Sequence, residues 1–257
     1  MKYPLNVFAL LSLSAVACGG DSSDTDDIAT SSDAIEGTSD TQALVATVLD
    51  PVAAAPTPEA AATMAAAAAS TYYQPAGCVV ATTAGATATY QFTNCRGPYG
   101  LVNLNGSLTA RYVSRSATGW TVQVTGSLQA NSTTLRPDAT ATVSAVGASR
   151  TATVTVAGGG TGRRGVSYSN RGTYTATWDG TCFGISGSVT STASTGAAAT
   201  FTATGYRRCR GQCPDAGGVL SVSGEGGAVT ITYSGGATAT VTGARTSTVR
   251  LFCAGSA

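Results

Sequence analysis

The regular alternation of threonine with apolar residues constrains this chain more than any other feature. In residues 86–93 (ATATYQFT), alanine, tyrosine and phenylalanine take every second position, and threonine or glutamine fills the others. Because successive side chains of a β-strand point to opposite faces, this period of two predicts strands with one apolar and one wet face. The alternation recurs in residues 139–145, 151–156, 173–178, 200–204, 229–233 and 237–241.

Glycine-rich turn signals separate the alternating segments, for example at residues 157–160, 224–227 and 235–236. We therefore predict an all-β fold, an antiparallel meander of about 12 to 14 short strands forming a sandwich, a barrel or a curved sheet. Three strand segments share a pattern centred on Gly106, Gly126 and Gly187. Glycine within a long strand predicts a bulge or kink where the sheet bends.

A short alanine-rich helical hairpin is predicted ahead of the strands. Residues 41–49 carry apolar residues at helical spacing, and Asp50 and Pro51 end that segment. A second helix is predicted to begin at Thr57 as N-cap, with Pro58 in its first turn, and to run to about Ser70. The predicted organisation is thus a signal peptide at 1–17, a tether at 18–40, a helical segment at 41–75 and a β domain at 76–257.

The first seventeen residues have the three parts of a secretory signal peptide. Lys2 gives a positive start, residues 4–13 (PLNVFALLSL) are apolar, and residues 14–17 are small. The apolar run is too short for a membrane span, which needs roughly 20 residues. The sequence therefore predicts export.

The end of this segment, Ala15-Val16-Ala17-Cys18, resembles the lipobox of bacterial lipoproteins, with alanine where leucine is commonest. The resemblance covers about the first 20 residues and implies that Cys18 receives acyl chains and becomes the mature N-terminus. Gly19 after the cysteine then implies the outer membrane. The alternative is an ordinary signal peptide cleaved after Ala17, which leaves a free Cys18. The whole chain also resembles alanine- and threonine-rich bacterial envelope lipoproteins, a likeness of composition that implies no activity.

Setting Cys18 apart leaves an even number of cysteines for disulfides in an oxidising compartment. Sequence proximity favours pairing Cys78 with Cys95 and Cys209 with Cys213, which leaves Cys182 to bond with Cys253. Other pairings stay open. Because the chain has no histidine and its cysteines are expected to be oxidised, we predict no metal and no cofactor.

Charge divides the chain into an acidic and a basic part. Residues 19–77 hold nine carboxylates and no basic residue, whereas residues 78–257 hold thirteen arginines and four carboxylates. A basic domain at the envelope can attract anionic lipid or glycan. The alternative is that the arginines are scattered over strand faces and the acidic tether is merely solvated. Export argues against nucleic acid as a partner, and the sequence leaves the oligomeric state open.

The sequence has few of the side chains that commonly carry out catalysis. Histidine is absent, and the only lysine, Lys2, belongs to the signal peptide. Histidine-based acid–base steps and lysine nucleophiles are therefore excluded from the mature chain. A glycosidase pair would have to use carboxylates such as Asp179 and Glu225, both in predicted turns. We therefore expect no enzymatic activity.

Two non-catalytic functions remain. The first is a structural or interaction lipoprotein. The second is a module that binds lipid or glycan through aromatic side chains and neighbouring arginines. The candidate binding residues are Trp120, Trp178, Tyr174, Tyr206, Arg207, Arg208 and Arg210.

Overall fold

The computed structural model describes residues 55–70, 73–96, 103–116, 119–130, 133–146, 149–162, 165–179, 181–209 and 211–251. They form one antiparallel sheet of fifteen strands preceded by one helix, which confirms the predicted all-β class. Within these ranges, no helix is both long and apolar enough to cross a membrane. The elements are α1 (Pro58–Ala69), β1 (Val79–Ala84), β2 (Thr87–Arg96), β3 (Asn103–Arg115), β4 (Gly119–Ala130), β5 (Thr133–Arg136), β6 (Asp138–Val146), β7 (Ser149–Val156), β8 (Gly159–Thr161), β9 (Ser167–Trp178), β10 (Cys182–Ala193), β11 (Ala198–Cys209), β12 (Val219–Gly224), β13 (Gly227–Tyr233), β14 (Thr238–Thr242) and β15 (Thr246–Arg250).

The helix α1 begins as its sequence predicts. The Thr57 hydroxyl accepts a hydrogen bond from the Ala60 amide at 3.2 Å, and Pro58 opens the first turn. Four of its alanines are fully buried, because α1 lies over β1, β2 and β3. Small side chains allow this close approach. The other half of the predicted helical hairpin, residues 41–49, lies outside the described residues.

The sheet is a continuous meander in which two strands are each interrupted once. Strand β4 pairs with β5 through Leu128 and Leu135 and with β6 through Val124 and Ala139, so one register runs through β5 and β6. Pro137 separates them because proline has no N–H for the ladder. Strands β7 and β8 likewise share one register against β9. Counted by register, the fifteen segments form thirteen strands, within the predicted range.

The two faces of the sheet differ in burial as the alternation predicts. In β2, Ala88, Tyr90 and Phe92 are buried, whereas Gln91 and Thr93 are exposed. Similar patterns follow in β3, β4, β7 and β9. Inner-face side chains are buried well beyond β1 to β3, the strands over which α1 lies.

Two of the three strand glycines singled out in the sequence adjoin register shifts. Gly106 has φ +110° and lies opposite Phe92, where the β2–β3 register shifts. Gly187 has φ +134° and adjoins the register shift between β10 and β11. These positive φ values favour glycine, and they confirm the predicted kinks. Gly126 pairs with Leu108 without a register shift, and on its other side it lies opposite Pro137, where the pairing of β4 with β5 and β6 is interrupted.

The disulfides confirm one predicted pair and correct two. Cys78 is bonded to Cys95 as predicted. Cys182 is bonded to Cys209, so the predicted pairs Cys209–Cys213 and Cys182–Cys253 are wrong. The physical reason is register, because Cys182 and Cys209 face each other across β10 and β11. Cys213 is also disulfide-bonded, and its partner lies outside the described residues.

Candidate functional site

Large aromatic side chains gather on the inner face at one end of the sheet, which we call the aromatic end. It comprises Trp120, Trp178, Phe183, Tyr206 and Tyr233, all buried. The register places Trp178 beside Phe183 across β9 and β10, and Tyr206 beside Ile185 across β10 and β11. The rings of Tyr206 and Tyr233 meet edge to face with centroids 5.2 Å apart. Such contacts stabilise the core beyond the area that they bury.

Three arginines border the aromatic end on the same face of the sheet. Arg115 places its guanidinium 6.0 Å from the centroid of Trp120 and donates a hydrogen bond to the Pro56 carbonyl at 3.2 Å. Arg150 is the register partner of Trp178, and Arg208 is that of Phe183. The Arg208 Nε donates to the Gln212 carbonyl at 3.2 Å. Positively charged arginine side chains therefore border the aromatic end.

The predicted binding residues are only partly brought together. Trp120 and Trp178 are 3% and 8% exposed, so neither presents a ring face for stacking. Tyr174 and Tyr206 are also buried. Arg208 lies at the aromatic end, and Arg210 is outside the described residues. Arg207 faces the other way and forms an ion pair with Asp215 at 2.8 Å.

Sequence reasoning missed Arg115 and Arg150. Neither belongs to an arginine cluster in the sequence, and only strand pairing places them beside the tryptophans. The short hairpin between β6 and β7 was the usable signal. Pairing residues 143–146 with residues 149–152 across it places Arg150 at the end of the sheet.

The clear pKa shifts in the described part of the chain belong to four buried tyrosines and to Asp179. Burial raises the pKa of Tyr90 to about 12 and raises the pKa of Tyr112, Tyr174 and Tyr233 still further, so these hydroxyls keep their protons. The pKa of Asp179 is lowered, because its carboxylate accepts hydrogen bonds from the amides of Cys182 and Thr181. A general acid in a glycosidase needs a raised pKa instead.

The suggested carboxylate pair of Asp179 and Glu225 does not form. Asp179 lies near the Cys182–Cys209 end of the sheet, whereas Glu225 follows Gly224, the partner of Ala199 at the opposite end. Ten residues of β11 separate these ends, roughly 33 Å at the usual rise of a strand. The sequence pattern placed both residues in turns but did not show that the turns lie at opposite ends.

Hydroxyl side chains on the outer face align across strands into two rows. The register links each member to the next in an unbroken series of pairs, and all members are exposed or half-buried. The first hydroxyl row is Thr140, Thr155, Thr173, Ser188, Thr202, Ser221, Thr230, Thr242 and Thr246. The second hydroxyl row is Ser114, Thr121, Thr142, Thr153, Thr175 and Ser186.

These two rows form an uncharged lattice of donors and acceptors. Neighbouring strands are about 4.8 Å apart, and residues two apart on a strand are separated by roughly 6.7 Å. The first row therefore extends about 38 Å across the sheet. Each hydroxyl can both donate and accept a hydrogen bond, which suits a partner that is itself rich in hydroxyls.

No group of three or more metal-ligating side chains occurs among the described residues. The chain matches no protein-family model, no curated protein and no solved structure.

Proposed function

We propose that this protein is a non-catalytic envelope lipoprotein, anchored through Cys18, whose β domain has a structural or interaction role. The observation that supports it best is the burial of Trp120 and Trp178, since the aromatic side chains that would serve a binding site pack the core instead. The lowered pKa of Asp179 and its separation from Glu225 also speak against carboxylate catalysis. The resemblance of residues 15–18 to a lipobox supports the anchor, with the acidic segment behind it as a tether.

Cys18→Ser is expected to release the protein from the membrane. The exported wild-type chain should sediment with membranes, resist washing with high salt and be extracted by detergent. The variant should lose this behaviour, because a serine hydroxyl cannot form the thioether to diacylglycerol. Ser22→Ala in the tether is the matched control and should stay in the membrane fraction. A Cys18→Ser chain that remains detergent-extractable in equal amount would refute the anchor.

A second candidate function is favoured by the outer hydroxyl rows, namely binding of an envelope glycan. Exposed Arg111, Arg136 and Arg171 on the same face would add attraction to an acidic polysaccharide. In this function the outer face of the sheet would bind the glycan, and the buried tryptophans would stabilise the fold without contacting the glycan. An anionic lipid surface would be attracted by the arginines without needing the hydroxyls.

Thr155→Val with Thr173→Val tests the glycan function. These substitutions keep the β-branched shape but remove two hydroxyls of the first row. We expect roughly tenfold or greater loss of binding to purified peptidoglycan in a cosedimentation assay, since a hydrogen bond contributes about 1 kcal/mol. Thr192→Val, outside both rows, is the control. Equal binding by the wild type, the double variant and Thr192→Val would exclude the hydroxyl rows as the glycan-binding surface. No binding by the wild type would exclude the glycan-binding function.

A further inference from the structure

The two edges of the sheet differ in how they are protected. Among the described residues, β1 pairs with β2 alone and β15 with β14 alone. An edge strand exposes unpaired N–H and C=O groups, and proteins usually protect it with charge, proline or a bulge. Strand β15 ends in Arg250 and follows a turn that contains Arg245. Strand β1 (VVATTA) has no charge and no proline, and its pairing with β2 has no bulge.

The backbone of β1 presents a regular set of free groups at this edge. The Thr93 amide donates to the Cys78 carbonyl at 3.0 Å, which fixes the alternation of hydrogen-bonded pairs along β1 and β2. Residues 80, 82 and 84 therefore bond to β2, whereas Val79, Ala81 and Thr83 direct their N–H and C=O groups outward. In the described part of the chain, these outward groups have no hydrogen-bond partner.

The side chains of β1 are symmetric in shape about Ala81. Val79 and Val80 precede it, and Thr82 and Thr83 follow it. Valine and threonine are both β-branched and nearly equal in size, so the strand is self-complementary when turned end for end. Val80 is 58% exposed, which is unusual for an apolar residue on an outer face otherwise rich in threonine. Tyr73, which follows α1, contacts the inner-face residue Phe92, and α1 itself packs over β1, β2 and β3.

We propose that β1 is a self-association surface, on which a second copy of this chain adds its own β1 in antiparallel pairing about a two-fold axis at Ala81. Val79 then pairs with Thr83 of the second copy, and Val80 lies opposite its Thr82. The outward groups of both strands form about six backbone hydrogen bonds. Cross-strand contact between β-branched side chains covers Val80. A closed two-fold dimer results, because the same strand serves both copies.

This inference goes beyond the proposed anchoring and stands without it, so the experiment uses the full chain with Cys18→Ser. Sedimentation velocity should show a dimer at concentrations on the order of 100 µM. Ala81→Pro should weaken the dimer at least tenfold, since it removes an outward N–H that the internal ladder does not use. Val80→Lys should weaken it as well, by placing a solvated charge at the junction.

Thr248→Pro is the matched control on the other edge, where the residue 248 amide also points outward. It should leave the dimer intact, and far-UV circular dichroism should verify the fold of each variant. A monomeric wild type would overturn the proposal. So would a dimer that survives both β1 variants. A loss of dimer in Thr248→Pro equal to that in the β1 variants would show that β1 pairs head to tail with β15 of the second copy. That result would also overturn the proposal.

Discussion

Trp120→Ala is expected to lower the free energy of unfolding by about 3 to 5 kcal/mol. The indole is 3% exposed and packs edge to face against Tyr112, with ring centroids 6.4 Å apart. Its removal leaves a cavity at the aromatic end and takes away the ring beside the Arg115 guanidinium. Urea unfolding followed by circular dichroism measures the loss.

Gln123→Ala is the matched control, because Gln123 lies on the exposed face of the same strand. We expect it to change the stability by less than about 0.5 kcal/mol. In the wild type, acrylamide should quench tryptophan fluorescence only weakly, and envelope glycan or lipid should not shift it. A loss below about 1 kcal/mol for Trp120→Ala, together with strong quenching, would mean that the indole is exposed on the surface and not packed in the core.

The double substitution Cys182→Ala and Cys209→Ala is expected to cost about 3.5 kcal/mol of stability. The bond closes a loop with a sequence separation of 27 residues, and the loss of this constraint on the unfolded chain gives that magnitude. Removing Cys78 and Cys95 together, with a separation of 17, should cost slightly less, about 3 kcal/mol. Urea unfolding without reductant measures both.

Peptide mapping of the unreduced protein provides the independent check on this connectivity. A digest should contain one linked peptide that joins Cys182 to Cys209. Linkage of Cys209 to Cys213, as proximity in the sequence had suggested, would contradict the Cys182–Cys209 bond. Unchanged stability of the double variant would contradict the role of the bond.

The local features of the fold could be predicted because they depend on short-range patterns. Alternation in residues 86–93 determined which side chains of β2 are buried, and Thr57-Pro58 determined the start of α1. Gly187 marked a kink because a φ of +134° is accessible mainly to glycine. These signals need only the residue itself and its near neighbours.

Features that depend on register could not be predicted from the same patterns. The pairing of Cys182 with Cys209, and of Arg150 with Trp178, follows from the lengths of the intervening strands and turns. A shift of one residue in any hairpin would reverse the faces, so local alternation cannot fix the lateral partner. The hydroxyl rows are a further example, since the sequence shows threonine on one face but not its alignment across strands.

Mass spectrometry of the mature N-terminus tests the proposed anchored lipoprotein most directly. The protein should be purified from membranes of its own cells and digested, and its N-terminal peptide identified. We predict a peptide that begins at Cys18 and carries diacylglycerol on the Sγ atom. A peptide that begins at an unmodified Cys18, or one that retains residues 1–17, would contradict the account.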